Sequence, residues 1–484
     1  MTDTRPRAGY LAIMLTASGG AFLSMLDSTV TNLAIPNVQG AFPSASVTDI
    51  SWIITAYAVL FAALLAPSGK LADALGRRRL FVIGIGLFTL ASLACALAPN
   101  LPFLIGARAV QGAGAAAMIP SSLAILLLDG PAERRAGSIG IWSAASAIGA
   151  AAGPIVGGVL VELSDWRAVF LINIPIGAVL IVSALRVLEP PGKASFDRIP
   201  DPLGTVLIAL GIGALTLGVT EGGDWGRLDP RTLGTFAFGL AALAYTVLRS
   251  RTHPKPAIDT ELWSNRTFTA TNVTSLLYGM AQYTFMLVAI LYMTDVWRYS
   301  ELEAGLANTP GAVSASIIAV GLGRYAAKLG GPRFAVLFGL AVFLVTAIWL
   351  TVGLTEQASF LTLWLPASIL TGIGMGAATM GTSASAAMSA PPAMFATSSG
   401  LNTTARQFGG ALGIAAMAAI LEQSSRSGSP TDPYSNVYLF CTVLLVLALA
   451  VAAIWIRLAP PPAAPAPATA AAKPAEPAEP AETT

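Results

Sequence analysis

Asp27 stands in Phe22-Leu23-Ser24-Met25-Leu26-Asp27-Ser28-Thr29-Val30-Thr31-Asn32, inside an apolar run from Leu11 to Ile35. Such a run is long enough to cross a bilayer, which takes roughly 20 residues. An acid at that depth costs about 2.5–3.5 kcal/mol on insertion, so a chain that keeps one has a use for it. On a helix Ser24, Asp27, Ser28 and Thr31 form one polar stripe, which should face a wet interior rather than lipid. The carboxyl group there either exchanges a proton or ties helices together; proton exchange is the favoured reading. Arg108 and Gln111, in Arg108-Ala109-Val110-Gln111-Gly112-Ala113-Gly114, share a helix face at i, i+3. Counted from the same membrane face, Arg108 and Asp27 lie roughly 9 and 12 Å deep at 1.5 Å per residue, so an Asp–Arg contact is within reach. The alternative for Arg108 is snorkelling to the interface. Arg406, in Asn402-Thr403-Thr404-Ala405-Arg406-Gln407-Phe408-Gly409-Gly410, is open to three readings: an anionic group, a partner helix, or snorkelling.

Two further stretches carry chemistry through backbone geometry. Gly69-Lys70-Leu71-Ala72-Asp73-Ala74-Leu75-Gly76-Arg77-Arg78-Arg79 joins two apolar runs. Its glycines permit a tight turn, Asp73 suits a helix N-terminus, and the arginines anchor a cytoplasmic face. Gly149-Ala150-Ala151-Ala152-Gly153-Pro154-Ile155-Val156-Gly157-Gly158 repeats glycine every four residues. That spacing presents a bare face for close helix packing, and Pro154 weakens the local ladder.

These residues need long membrane helices to position them, and composition supplies the helices. Hydrophobic residues make up 55% of the 484, charged residues 11%, and mean hydropathy is +0.71. A soluble chain of this length would need far more polar surface. About fourteen apolar runs follow, from 11–36 to 436–457, separated by short charged loops. An even number puts both termini on one side. With the N-terminus inside, Lys and Arg number 20 in cytoplasmic segments, 5 outside and 2 (Arg108, Arg406) within spans, a strong positive-inside bias. Cys95 and Cys441 fall in separate runs, and His253 is the one histidine. That excludes a disulfide framework and a metal cluster, and no cofactor is expected. Short loops without clustered acids or histidines argue against a membrane enzyme.

The chain divides into a six-helix unit (1–188), linkers with two inserted helices (189–267), a second six-helix unit (268–457) and a Pro/Ala/Glu-rich tail (458–484) expected to be disordered. An internal repeat supports this division. Gly323-Arg324-Tyr325-Ala326-Ala327-Lys328-Leu329-Gly330-Gly331-Pro332-Arg333 echoes the loop at Gly69, and Thr371-Gly372-Ile373-Gly374 echoes Gln111-Gly112-Ala113-Gly114. Repeated halves with a midplane site between them are a transporter architecture.

Taken together, these ordered motifs resemble the major facilitator superfamily, in particular its fourteen-span drug:proton antiporter branch. The resemblance covers residues 11–457 and includes Asp165-Trp166-Arg167-Ala168-Val169-Phe170-Leu171-Ile172-Asn173-Ile174-Pro175-Ile176-Gly177, read as an interfacial turn into the sixth span. It implies an all-α fold of two six-helix bundles plus two inserted helices, and proton-driven export of hydrophobic drugs or antibiotics across the inner membrane. It further implies proton coupling at Asp27 and Arg108, a conformational latch at Gly69, Asp73, Gly76, Arg77 and Arg79, and an antiporter motif at Gly149, Gly153, Pro154, Gly157 and Gly158. Candidates for the substrate cavity are Ser24, Thr31, Tyr57, Gln111, Trp142, Tyr283, Phe285, Trp364, Met375 and Arg406. The expected partners are protons, lipid and a small hydrophobic, neutral or monocationic compound, with no nucleic acid and a monomeric state. A dedicated metabolite exporter or facilitator without proton coupling is the alternative.

Overall fold

The computed structural model describes residues 9–45, 47–129, 135–189, 199–226, 228–258, 260–325, 329–424 and 429–457. The tail from 458 and most of the first linker lie outside the described residues. Within them the chain is helical throughout. In a bilayer every backbone amide must be satisfied within its own segment, and a helix does this.

The first six-span unit comprises α1 (Tyr10–Ala41), α2 (Val47–Leu75), α3 (Arg77–Ala96), α4 (Leu101–Leu128) and α5 (Arg135–Leu163), followed by a sixth span broken at Ile172 into α6 (Ala168–Leu171) and α7 (Asn173–Val187). The inserted pair is α8 (Pro202–Trp225) and α9 (Pro230–Ser250), followed by the short α10 (Thr260–Ser264). The second unit comprises α11 (Arg266–Asp295), α12 (Glu301–Tyr325), α13 (Gly331–Gly353), α14 (Leu365–Met388, entered through a π-helical turn at Phe360–Trp364), α15 (Phe395–Ser424) and α16 (Asp432–Trp455). Fourteen described spans are long and apolar enough to cross a membrane. Three of them, α4, α9 and α11, begin at a polar side chain that caps free amides. Asn100 accepts from Phe103 N at 2.9 Å, Asp229 from Arg231 N at 2.8 Å and Asn265 from Thr267 N at 2.9 Å. Gly76, at φ 101°, makes the turn between α2 and α3 in a conformation that favours glycine.

Glycine decides which helices approach closely, and it does so twice. A Cβ on Gly112 of α4 would stand 2.5 Å from Tyr57 O of α2, and one on Gly114 2.6 Å from Phe88 N of α3. In the second unit a Cβ on Gly372 of α14 would stand 1.9 Å from Gly311 O of α12, and one on Gly374 2.7 Å from Phe343 N of α13. The paired motifs of the repeat therefore perform the same packing task. The same holds for α5 and α15. A Cβ on Gly149 would stand 2.5 Å from Phe22 O of α1, and Cβ atoms on Gly409 and Gly413 would clash with Leu276 O and Met280 O of α11.

The two units meet along two seams, α2 against α15 and α5 against α12. Both seams are tightest at the membrane face where α2 ends and α5 begins. A Cβ on Gly69 would stand 2.4 Å from Ala396 O, one on Gly400 2.6 Å from Leu65 O, and one on Gly140 2.3 Å from Ala319 O. The units are thus closed against each other at that face.

The α8–α9 hairpin packs against α2 and α15. At its base buried Asp201 accepts from Arg249 Nη2 at 3.0 Å and also from Arg249 Nε. Asp201 N donates to Lys255 O at 2.9 Å, and Lys70 Nζ donates to Pro256 O at 2.7 Å, tying the segment after α9 to α8 and α2. The bond from Arg249 holds the Asp201 carboxyl below its ordinary value, with burial opposing. A depressed acid contributes stability that is complete above its unfolded value and is lost as pH falls through the folded one. The advantage of the wild type over Asp201→Asn in thermal melting should therefore be greatest near neutrality and shrink below about pH 4. A difference that does not shrink between about pH 4 and pH 2 would show that the ion pair does not stabilise the hairpin.

Candidate functional site

Asp27 lies in the fifth turn of α1, is 1% exposed and is held by side chains of two other helices, α4 and α7. Arg108 Nη1 of α4 donates to Asp27 Oδ2 at 2.7 Å, and Gln111 Nε2 and Asn173 Nδ2 donate to Asp27 Oδ1 at 2.8 and 2.6 Å. Arg108 Nη1 also donates to Gln111 Oε1 at 2.7 Å, and Nε donates to Ile53 O at 3.3 Å. The guanidinium carbon lies 4.4 Å from the centre of the Tyr57 ring, and the Tyr57 hydroxyl is 3.1 Å from Ser24 Oγ. Ser92 of α3 accepts from Gln111 and Asn173 and donates to Phe170 O at 2.9 Å.

The result is a nearly closed polar network in which one acid balances one base. A buried charge is tolerable when paired and fully hydrogen-bonded, and costly once a partner is lost. Without the Asp27 charge, Arg108 would be left buried with no counter-charge in this network.

Asn173 and Ser92 are missing from the residues singled out by sequence. Asn173 sits in Asp165–Gly177, read only as an interfacial turn; its place at the first residue of α7 carries it to the acid. Nor is Asp27 alone among buried acids within the spans. Glu221, one turn from the end of α8, is 2% exposed.

The other candidates separate by location. Thr31 is buried with no partner for Oγ1. Trp142 is packed into the first unit, its Nε1 donating to Ser122 Oγ at 2.9 Å. Phe285 stacks edge-on with Phe343 and Tyr438, and Trp364 packs with Tyr292 and Trp297. Both belong to the aromatic core of the second unit. Tyr57, Tyr283, Met375 and Arg406 instead converge. Tyr57 of α2 and Tyr283 of α11 lie within electrostatic range of each other. Tyr283 hydrogen-bonds Gln407. Tyr278 donates to Met375 O at 3.0 Å, and both tyrosines lie within electrostatic range of Arg406.

At the closed face Asp73 crosses from one unit to the other. Its Oδ2 accepts from Thr397 N at 2.8 Å and from Thr397 Oγ1 at 2.7 Å, and its Oδ1 from Ala396 N at 3.3 Å. It therefore serves the N-terminus of α15, where free amides and the helix dipole favour negative charge. Arg77 pairs with Asp129 at the end of α4. Burial pushes the Asp129 carboxyl up, and Arg77 opposes that shift. Among the described residues Arg79 reaches its own turn, with Leu75 O at 3.5 Å. Arg135 of α5 lies 5.3 Å from the Phe395 ring of α15, a further contact between the units. In the glycine motif Gly149 and Gly153 admit α1, Gly157 is buried and Gly158 half-buried. The Pro154 side chain lies outside the described residues.

Comparison with known proteins identifies the family and the fold. The sequence matches the Major Facilitator Superfamily over residues 17–414, with a second match over 271–481 that overlaps it. It is 33% identical to the cephamycin export protein CmcT of Amycolatopsis lactamdurans, covering 90% of each chain. It is 32% identical to the multidrug resistance protein Stp of Mycobacterium tuberculosis, covering 84% of this chain and 75% of that one. The methylenomycin A resistance protein of Streptomyces coelicolor is 31% identical, covering 85% and 86%. In fold the chain is similar to the human organic anion transporter MFSD10 (TETRAN), with a TM-score of 0.67 at 13% identity over 92% of this chain and 99% of that one. The chain is a multi-pass membrane protein of the Major Facilitator Superfamily, a transporter rather than an enzyme.

Proposed function

We propose that this transporter is a proton-coupled antiporter that exports drugs or antibiotics with a hydrophobic body from the cytoplasm, across the inner membrane, by alternating access. The observation that carries the proposal is Asp27 held by Arg108, Gln111 and Asn173 from α4 and α7. It stands in a chain similar to proteins named for antibiotic export and resistance. The acid is one proton away from leaving Arg108 without a counter-charge, so protonation shifts the balance between two packings of the first unit. The positive-inside bias assigns both termini, and the face closed by Asp73, to the cytoplasm. The structure is then an outward-facing state with the latch engaged. Release of the proton to the cytoplasm, with the latch open, resets the site for loading.

The coupling has a direct test in proteoliposomes loaded with a pH-sensitive dye. Adding an exported compound should release protons in proportion to the compound moved. Transport of that compound without proton movement would favour a facilitator or dedicated exporter, a reading to which the name of the cephamycin export relative lends weight.

A further inference from the structure

Arg406 differs from Arg108 in one respect that bears on what is carried. It lies eleven residues into α15, about 17 Å from that helix end at 1.5 Å per residue, too deep to snorkel. It is 8% exposed, its Nη1 has no hydrogen-bond partner, and no carboxylate lies within 4 Å of it among the described residues. Its backbone is pressed against α11, where a Cβ on Gly279 would stand 2.2 Å from Arg406 O. The helix therefore cannot roll to carry the guanidinium elsewhere. Tyr278 and the half-buried Tyr283, which hydrogen-bonds the adjacent Gln407, lie within electrostatic range of it. Asp27 is already neutralised by Arg108. An uncompensated cation inside a membrane protein is costly unless something anionic meets it.

We propose that Arg406 binds an anionic group of the exported compound, a carboxylate attached to an aromatic or apolar body that packs against Tyr283. The guanidinium offers a planar fork matched to a carboxylate, and the flanking tyrosines supply an apolar wall. This inference rests on the transporter reading and names its substrate class. It departs from the neutral or monocationic compound expected from sequence. It takes up the anionic-group reading that the sequence left open for Arg406.

Binding of 2-naphthoate and of the isosteric amide 2-naphthamide can be measured on the full chain in nanodiscs, with empty nanodiscs subtracted. The acid should bind at least about tenfold more tightly than the amide, as expected for a charge-assisted pair. Arg406→Gln should reduce that ratio to about twofold or less, and Arg406→Lys, which keeps the charge without the fork, should fall between. Equal binding of acid and amide by the wild type, binding of neither, or an unchanged ratio in the Gln variant overturns the inference. The wild-type comparison decides the matter alone should the variants fail to fold. Failure of the transport reading looks different: Arg406-dependent binding of the acid, but no movement of it under a pH gradient.

Discussion

Asp27→Asn should abolish export driven by a pH gradient, to about 1% of wild type or less, while the protein still inserts and folds. The amide keeps the shape of the acid and one acceptor for Gln111 or Asn173, so it imitates the protonated state permanently. Exchange of substrate for substrate without a gradient should survive, because that half-cycle needs no change of protonation. Asp27→Ala should in addition lose about 3–5 kcal/mol of stability, since it leaves Arg108 charged, buried and without its hydrogen-bonded partner. The double variant Asp27→Asn, Arg108→Gln should recover part of that stability without recovering gradient-driven transport, because it removes both charges of one coupled pair. Uphill export retained in Asp27→Asn proteoliposomes would remove the acid from the coupling mechanism. Loss of both uphill export and exchange, with normal folding, would make it a packing residue.

The sequence made the spans legible because charge and hydropathy alternate sharply along it. The fourteen helices begin and end within a few residues of the apolar runs, apart from extensions such as α2 through Lys70 and Asp73 to Leu75. Counting depth along two helices also brought Asp27 and Arg108 together, since rise per residue is fixed once the ends are known. The third donor was hidden. Asn173 is 146 residues from Asp27, and the break at Ile172 that aims it inward leaves no periodic trace. The aromatic candidates divided unpredictably for a related reason. A helix that is apolar all round does not announce which face meets lipid, core or cavity. Tyr283 and Phe285 are two residues apart, yet only the second is packed into the aromatic core. The glycines of α15 were equally quiet: Gly409 and Gly413 serve α11 as Gly149 and Gly153 serve α1, but small residues four apart are common in membrane helices.

The latch gives the second large effect, because its parts act only when the two units are together. Asp73→Ala removes three hydrogen bonds to the start of α15. At about 1 kcal/mol net for each, this should shift the ratio of latched to unlatched states by roughly 100-fold. Gly69→Val should act more strongly. Its Cβ would meet Ala396 O at 2.4 Å and Thr397 Cα at 2.9 Å, which are backbone atoms of a helix start and cannot swing aside. Spin labels at exposed Arg186 and Leu329, one on each unit at the closed face, report the outcome with Cys95 and Cys441 replaced. The wild type should show one short distance, Asp73→Ala a second and longer population, and Gly69→Val the longer population alone. Both variants should lose export while keeping the Asp27–Arg108 pair, because the pair lies wholly within the first unit. An unchanged distance distribution in Gly69→Val would mean that the α2–α15 seam does not hold the closed state.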